Sequence, residues 1–595
     1  MPETIPLGRY VWERIHQVGI DTIFGVPGDF NLQFLDYIFE VEGLKWVGNQ
    51  NELNAAYAAD GYARIKGVPG AFVTTHGVGE LSAINGIAGS MSERVKVIHV
   101  VGQTTRAMQE KHMMIHHSIG HVPDHQVYNN ASRGLRIDAA ELWDVKTAPA
   151  EVDRVIRECF MQSGPVYIFL PLDLSAEHVD ASLLSTPIDL SPKIDEAAQE
   201  KAVSAIKEAL EAAKNPCVLI DALVQRFGAG EEARELVKSL KVPYCSSNMG
   251  KGIADETDEM CLGVYNGEIS APGVVSAWEA SDLTVLLGYL PADTNSGGFS
   301  RSIDQQKTIY VNQFEVVVKG TSYGNTHLKP LLAALVKSLP STPLHNISPP
   351  RLPAQPQPND LDAKHVTHSW LWPQIEKFLQ PGDVVIGETG TSVFGLCDIK
   401  FPEKTQFHAQ IYYGSIGYAT AATLGAEIAR RELFGDSTRT VLITGDGSMA
   451  LTIQEIGTMI KAGIKPVIFI INNAGYTIER MIWGAREKYN DIVPTRYSHL
   501  LPLFFHPSPE KSFHYAKTKD DLEKVLASPA LKSPEHLQLI EMVMDKCDTP
   551  WKLGAQLAWR GESTKQYLKR EGFVDVLGNW GLQDGRGGGE AVKWA

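Results

Sequence analysis

Asp446 and Asn473 are the residues of this chain best suited to hold a small hard cation such as magnesium. Each follows a short apolar run. Val441, Leu442 and Ile443 lead into Gly445-Asp446-Gly447-Ser448, and Pro466 to Ile471 leads into Asn472-Asn473-Ala474-Gly475. Between Gly447 and Asn472 lie 24 residues. Met449, Ile453, Ile456 and Ile460 recur there at helical spacing, and Gly463 closes the pattern. The unit therefore reads as strand, helix, strand, with a polar loop at each strand end. Parallel sheets bind ligands at such carboxyl ends. The glycines leave room for backbone to approach a phosphate, and NH groups at a helix start favour anions. A bare Gly-Asp-Gly also suits an ordinary tight turn; the paired asparagines at this spacing are what make the pattern specific.

A second group of residues could move protons. Glu52 opens the Ala-rich segment from Asn51 to Arg64. A lone Glu at a helix start is most often a surface or capping acid. Here the alanines predict tight packing, and a buried Glu has a raised pKa and can share a proton with a ring nitrogen. Five histidines, His112, His116, His117, His121 and His125, crowd one stretch. Their spacing of four could place ligand pairs on a helix, but Pro123 argues against one continuous helix and a plain loop remains open. Asp29 lies in Gly28-Asp29-Phe30-Asn31, which could be a simple turn, and Glu479 closes Tyr476-Thr477-Ile478-Glu479 after the asparagine loop. Gly387 to Ser392 and Tyr413 to Gly417 add small residues beside further strands and helices, each a weak signal alone.

The elements that must position these groups alternate. Gly70–Thr74, Val95–Val101 and Val166–Leu170 read as buried strands between helical stretches; Cys217–Asp221, Val285–Tyr289 and Ile309–Asn312 do so further on. The alternation predicts α/β architecture: three doubly wound parallel-sheet domains with a C-terminal tail. The chain has 595 residues, enough for about three or four domains. The expected partition is 1–185, 195–340, a Pro-rich linker at 341–363, 364–555 and a tail at 556–595, with Thr186 to Pro192 as a first linker. The pattern weakens from about Trp551, and the tail around Gly585 to Gly589 is expected to be mobile. Apolar residues make up 44% of the chain and the net charge is -15, which argues against nucleic-acid binding. Six scattered cysteines without a paired motif suit a reducing compartment. Neither a signal peptide nor a membrane-spanning run is read, so a cytoplasmic enzyme is expected.

Together these motifs resemble the thiamin-diphosphate enzymes, with their GDG…NN signature, over roughly residues 5 to 550. The order of the motifs matches that family's pyrimidine-binding, central and diphosphate-binding domains. His116-His117 resembles the paired histidines of its pyruvate decarboxylase branch, fungal type. The resemblance implies thiamin diphosphate and Mg2+ as cofactors, with Asp446, Asn473 and Gly475 at the metal. It implies cofactor contacts from Glu52, Thr391, Gly414, Ser415, Ile416, Gly447, Ser448, Asn473, Gly475, Tyr476, Thr477 and Ile478. Glu52 would touch N1′ of the aminopyrimidine, the Gly414 carbonyl would meet the 4′-amine, and Ile416 would wedge the cofactor into a bent form. Glu52, Asp29, His116, His117 and Glu479 would carry catalysis, and Asp29, His117 and Glu479 would meet the substrate. The implied reaction is non-oxidative decarboxylation of pyruvate to acetaldehyde and carbon dioxide. The implied assembly is a homodimer at least, as a homotetramer, with each site built from two chains.

Departures matter as well. Leu223 and Val224 stand where some members carry cysteines linked to substrate activation, and Arg94 replaces a histidine of the same route. Thr294 stands where some members place a Phe, which keeps open a decarboxylase of larger aromatic or branched 2-oxo acids. A carboligating acetohydroxyacid synthase is disfavoured by the His pair and Glu479. An inactive filament-forming relative is disfavoured by intact Glu52, Asp446 and Asn473.

Overall fold

The computed structural model describes residues 3–578 and 580–582. Two compact units emerge. One gathers the chain up to Pro192 together with Gly417–Ser437 and Thr452–Lys465; the other gathers Lys193–Ile416, Thr438–Leu451 and the chain from Pro466 on.

The sheet of the first unit contains β1 (Thr22–Gly25), β2 (Lys45–Gly48), β3 (Gly70–Thr75), β4 (Val97–Gln103), β5 (Asp138–Glu141) and β6 (Pro165–Pro171). They pair in the order β2-β1-β3-β4-β6-β5, all parallel. The inner strands β3, β4 and β6 are buried throughout, as continuous Val/Ile/Phe runs covered on both faces must be. Thr4–Pro6 and His178–Asp180 form a separate antiparallel pair.

The sheet of residues 216–324 holds β7 (Pro216–Ile220), β8 (Tyr244–Ser246), β9 (Cys261–Val264), β10 (Leu283–Leu287), β11 (Thr308–Val311), β12 (Glu315–Val318) and β13 (Thr321–Gly324). Its order is β9-β8-β7-β10-β11-β12-β13. The first five are parallel and doubly wound, as expected, and β12 and β13 add an antiparallel hairpin at the edge. The cause is local. The chain reverses after β11, where Asn312 N donates to the Glu315 carbonyl at 2.9 Å, and again after β12, where Lys319 and Gly320 adopt positive φ, 47° and 87°.

The third sheet contains β14 (Val384–Gly387), β15 (Gln406–Ala409), β16 (Thr440–Gly445), β17 (Val467–Asn472), β18 (Phe513–Ala516) and β19 (Gln538–Val543). Its order, β15-β14-β16-β17-β19-β18, repeats that of the first sheet strand for strand, again all parallel.

In the first unit, the Ala-rich segment forms α1 (Glu52–Lys66). Asn51 caps it, its Oδ1 accepting Asn54 N at 2.8 Å, and Gly67 ends it in the left-handed conformation. α1 packs closely against a later helix, Tyr418–Phe434, with small residues where the backbones approach. A Cβ on Gly61 would lie 2.1 Å from the Ala422 carbonyl oxygen, and one on Gly425 1.8 Å from that of Ala58. Gly61→Ala would force the backbones apart, costing about 1–3 kcal/mol. Beneath this contact Arg64 binds Asp60 at 2.6 Å, and Tyr418 donates to the same carboxylate at 2.5 Å, all three buried.

Two expectations change. The single helix read from Met449 to Ile460 is two, Asp446–Thr452 and Glu455–Lys461, broken at Ile453 and Gln454. Thr452 directs its hydroxyl to the Gly417 carbonyl at 2.7 Å at the break. Asp446, Gly447 and Ser448 are therefore a helical first turn, not a loop. The weakening pattern after Trp551 is also misleading: Trp551–Ala558 and Glu562–Glu571 are helices. Leu553, Leu557, Leu568, Phe573 and Trp580 form a core with Met481 and Ala485. Gly585 to Gly589 lie outside the described residues. The Pro-rich stretch runs without helix or strand, and Asn359 N ties its end to the Val576 carbonyl at 3.0 Å.

Candidate active site

In the second unit, Asp446 stands where β16 ends and its helix begins. Its Oδ1 accepts Gly447 N at 2.8 Å, while Oδ2 is buried with no partner among the described residues. Burial pushes its pKa up to about 6, against backbone NH groups that pull it down. Across from it, Asn473 follows β17. As placed, the Asn473 amide oxygen faces Asp446 Oδ1 at 3.2 Å and the Gly475 carbonyl at 2.8 Å, with its nitrogen 2.9 Å from Thr477 Oγ1. Turned over, the amide would donate to both oxygens instead. A cation favours the first orientation: side-chain carboxylate, side-chain amide oxygen and backbone carbonyl then share one corner. That donor set, with an orphaned carboxylate oxygen inside it, fits a small hard ion carrying a diphosphate.

The backbone here is tightly held. Gly475 has φ 141°, and a Cβ on it would lie 2.1 Å from the Asn490 carbonyl oxygen. A Cβ on Gly447 would lie 2.6 Å from the Tyr476 ring, so that glycine makes room for Tyr476. Arg480, unforeseen from sequence, is the buried hub. It donates to the carbonyls of Ala474, Ala485 and Asn490 at 3.1, 2.9 and 2.9 Å and to Asp491 at 2.6 Å. Glu479 precedes it in the short helix Thr477–Ile482, exposed, with Ile478 half-buried. Thr391 begins the helix Thr391–Leu396 after β14, with Gly390 at φ 136°. Gly414 turns at φ 67° ahead of Ser415, whose NH donates to Gln410 Oε1 at 2.7 Å; Ile416 is half-buried. Gln410 also accepts from Thr389 Oγ1 at 2.8 Å through its carbonyl, another positioning role that sequence alone did not reveal.

In the first unit, the loop after β1 is both a turn and a site. Gly28 N donates to Asn31 Oδ1 and Asn31 N to the Gly28 carbonyl, both at 2.9 Å, which holds Asp29 outward. Asp29 Oδ2 lies 2.6 Å from His116 Nε2, with 51% and 58% of the two side chains exposed. The His116 ring stacks on Phe30 at 5.1 Å and meets the His117 ring at 4.7 Å. His117 sits at φ 69°, and Tyr128 donates its hydroxyl to the His117 carbonyl. Ligand atoms of Asp29, His116 and His117 all lie within 4.8 Å of one another. Two other histidines, His112 and His125, brace the loop. His125 is buried between Thr104 Oγ1 at 2.8 Å and the Met113 carbonyl at 2.9 Å, and His112 reaches the Pro123 carbonyl at 3.1 Å. Glu52 is half-buried, less than the alanine run predicted; full burial begins at Asn54. Gly79 lies beside it, where an added Cβ would sit 3.4 Å from Glu52 Oε1.

Family models match this chain in three stretches. The N-terminal TPP binding domain of thiamine pyrophosphate enzymes matches residues 5–125, the central domain 203–323, and the C-terminal TPP binding domain 387–517. Sheets, buried oxygen corner and matches agree on the class, the thiamine pyrophosphate enzymes. The pyruvate decarboxylase of Candida glabrata is 42% identical over 552 residues, spanning 92% of this chain and 97% of that one. Pyruvate decarboxylase isozyme 1 of Saccharomyces cerevisiae is 41% identical over 93% of this chain and 98% of its own. The pyruvate decarboxylase of Aspergillus terreus is 40% identical over 92% and 95%. With such identity over nearly full length, the chain belongs to the pyruvate decarboxylase family. A solved thiamine diphosphate-dependent 4-hydroxybenzoylformate decarboxylase of Rhodococcus jostii shares the fold. Its TM-score is 0.70 at 18% identity, over 91% of this chain and 99% of that one.

Proposed function

We propose that this enzyme decarboxylates pyruvate to acetaldehyde and carbon dioxide, using thiamin diphosphate and Mg2+. The observation that carries the reading is the Asp29–His116 pair with His117 beside it, in a chain about two-fifths identical to yeast pyruvate decarboxylases. When bound, thiamin diphosphate supplies an electron sink that no side chain offers. Asp446, Asn473 and the Gly475 carbonyl hold the metal. Gly447, Ser448 and the run Tyr476 to Ile478 line the diphosphate. Thr391 and Gly414 to Ile416 orient the rings, and Glu52 holds the proton at N1′. Asp29, His116, His117 and Glu479 share substrate binding and the proton returned to the product. The four are assigned to these steps as a group.

The reading extends to a cytoplasmic enzyme, a homodimer at least and a homotetramer in full, partitioned at 1–185, 195–340, 341–363 and 364–555. Among the described residues, no helix is long and apolar enough to cross a membrane. Larger 2-oxo acids are the second reading. Thr294 is a small residue whose hydroxyl is bound to the Ile411 carbonyl at 2.7 Å, just ahead of Gly414. An alcohol-dehydrogenase-coupled assay with pyruvate, phenylpyruvate and 2-oxoisocaproate decides. Pyruvate is expected to give the highest kcat/KM; a higher value with phenylpyruvate would replace this reading with the second.

A further inference from the structure

Glu455 is fully buried in the first unit, yet it belongs to none of the groups described so far. It opens the helix Glu455–Lys461. Its Oε1 accepts the Asn49 side-chain amide at 2.8 Å and its Oε2 that of Asn54 at 2.6 Å. Those two asparagines bracket Glu52, three residues before it and two after. Asn49 is fixed in turn. Its Oδ1 accepts Gly25 N at 3.1 Å, and its own N donates to the Gly25 carbonyl at 2.9 Å. Gln50 adds a bond to Thr458 Oγ1 at 3.3 Å, further along the same helix.

A buried carboxylate is costly to keep. Burial pushes the Glu455 pKa up, while the Asn54 and Asn49 amides pull it back. An apolar side chain would fill the space at less cost, and a glutamine would offer one accepting oxygen. Only an ionised carboxylate takes an amide on each oxygen at once. Protonating it would set an O–H against an N–H donor. Each oxygen meets one amide, and what the carboxylate does is grip the chain on both sides of Glu52.

We propose that Glu455 is a positioning residue for Glu52: its two oxygens clamp Asn49 and Asn54 and so fix the first turn of α1, from which the Glu52 carboxylate projects. The proposal rests on the reading of Glu52 as the acid that tunes the coenzyme ring. A group held loosely by even one ångström can lose about a hundredfold in rate.

The test uses the holoenzyme and three readouts: amide hydrogen exchange across Gly48–Ala56, exchange of the coenzyme C2 proton with solvent, and melting temperature. Glu455→Gln is expected to speed amide exchange in that segment. It should slow C2 exchange by about ten- to a hundredfold. The double variant Glu455→Gln, Asn54→Asp restores a donor facing an acceptor, and is expected to recover most of both losses. Unchanged C2 exchange in folded Glu455→Gln overturns the proposal, and so does a double variant no better than the single. Glu52→Gln, run alongside, separates the two ideas. If it leaves C2 exchange untouched, the reading of Glu52 fails, and the clamp is judged by amide exchange alone. Should Glu455→Gln fail to fold, Asn49→Ala and Asn54→Ala each remove one donor and carry the same expectations.

Discussion

The first and third sheets share one strand order, and the ends of their corresponding strands do opposite things. After β3 comes His76, itself buried, and after β4 a histidine loop with His116 exposed; after β16 and β17 come Asp446 and Asn473, only 1% and 5% exposed. After β1 stands Asp29, half open to solvent and paired with His116. The third sheet therefore offers preorganised oxygens in a buried corner, held by Arg480, glycines and neighbouring carbonyls. The first offers titratable groups in irregular backbone, including His117 in the left-handed region. Gripping a charged ligand asks for donors fixed before it arrives. Moving protons on a small substrate asks for groups that solvent and substrate can reach. One topology serves both because function sits in the loops at strand ends, not in the sheet.

If that division holds, losing a grip residue and losing a chemistry residue must fail differently. The largest effect is expected from Asp446→Ala. It should reduce magnesium-dependent binding of thiamin diphosphate by more than about a hundredfold, read by calorimetry. Asp29→Ala should leave that affinity within a few-fold while turnover drops. Equal loss of affinity in both variants would break the comparison. Next comes Glu52→Gln, which should keep the fold and the bound coenzyme but slow C2 proton exchange by about 10²–10⁴-fold. Normal exchange would remove Glu52 from the chemistry side.

Burial on the grip side has a measurable consequence away from the ligand corner. Asp548 is buried, and burial pushes its pKa up to about 7, although His368 N donates to its Oδ2 at 2.7 Å. A carboxyl with a raised folded pKa supports the fold while protonated. That contribution is complete below the ordinary carboxyl range and is lost as pH rises through about 7. Asp548→Asn keeps an acceptor for His368 N. It should flatten the fall in stability between about pH 4 and 7, and gain about 1–3 kcal/mol at pH 8 by denaturant titration. An unchanged pH profile would show that Asp548 titrates normally.

Much of this was legible in the chain because the signals are local. Apolar runs of four to seven residues became strands, and Asp446 and Asn473 fell at strand ends as their spacing implied. What was not legible depends on distant partners. Glu455 is about 400 residues from the asparagines it holds, and nothing in its neighbourhood distinguishes it from a surface acid. Arg480 looks like the basic end of a short helix until its carbonyl partners are seen. The matched order of the first and third sheets leaves no repeated motif, because pairing order is fixed by long-range packing. The helix read through Met449 to Ile460 failed for a related reason: its apolar spacing continues across the break at Ile453, where Thr452 is drawn to Gly417.

The smallest effect tests how much the grip side depends on backbone shape. Ala474 lies between Asn473 and Gly475 at φ 59°, a left-handed conformation that costs a non-glycine residue about 1–2 kcal/mol. Its side chain is exposed, and its carbonyl accepts from Arg480 at 3.1 Å. The backbone, not the methyl group, is therefore what the loop uses. Ala474→Gly removes the steric cost but adds freedom to the unfolded chain, which takes back about 0.5–1 kcal/mol. The net expectation is a gain of up to about 1 kcal/mol, seen as a slightly higher melting temperature with coenzyme affinity unchanged. A variant that melts earlier, or loses coenzyme, would mean that the loop is rigid because of its alanine, and that the buried corner owes its shape to more than Arg480 and the flanking carbonyls.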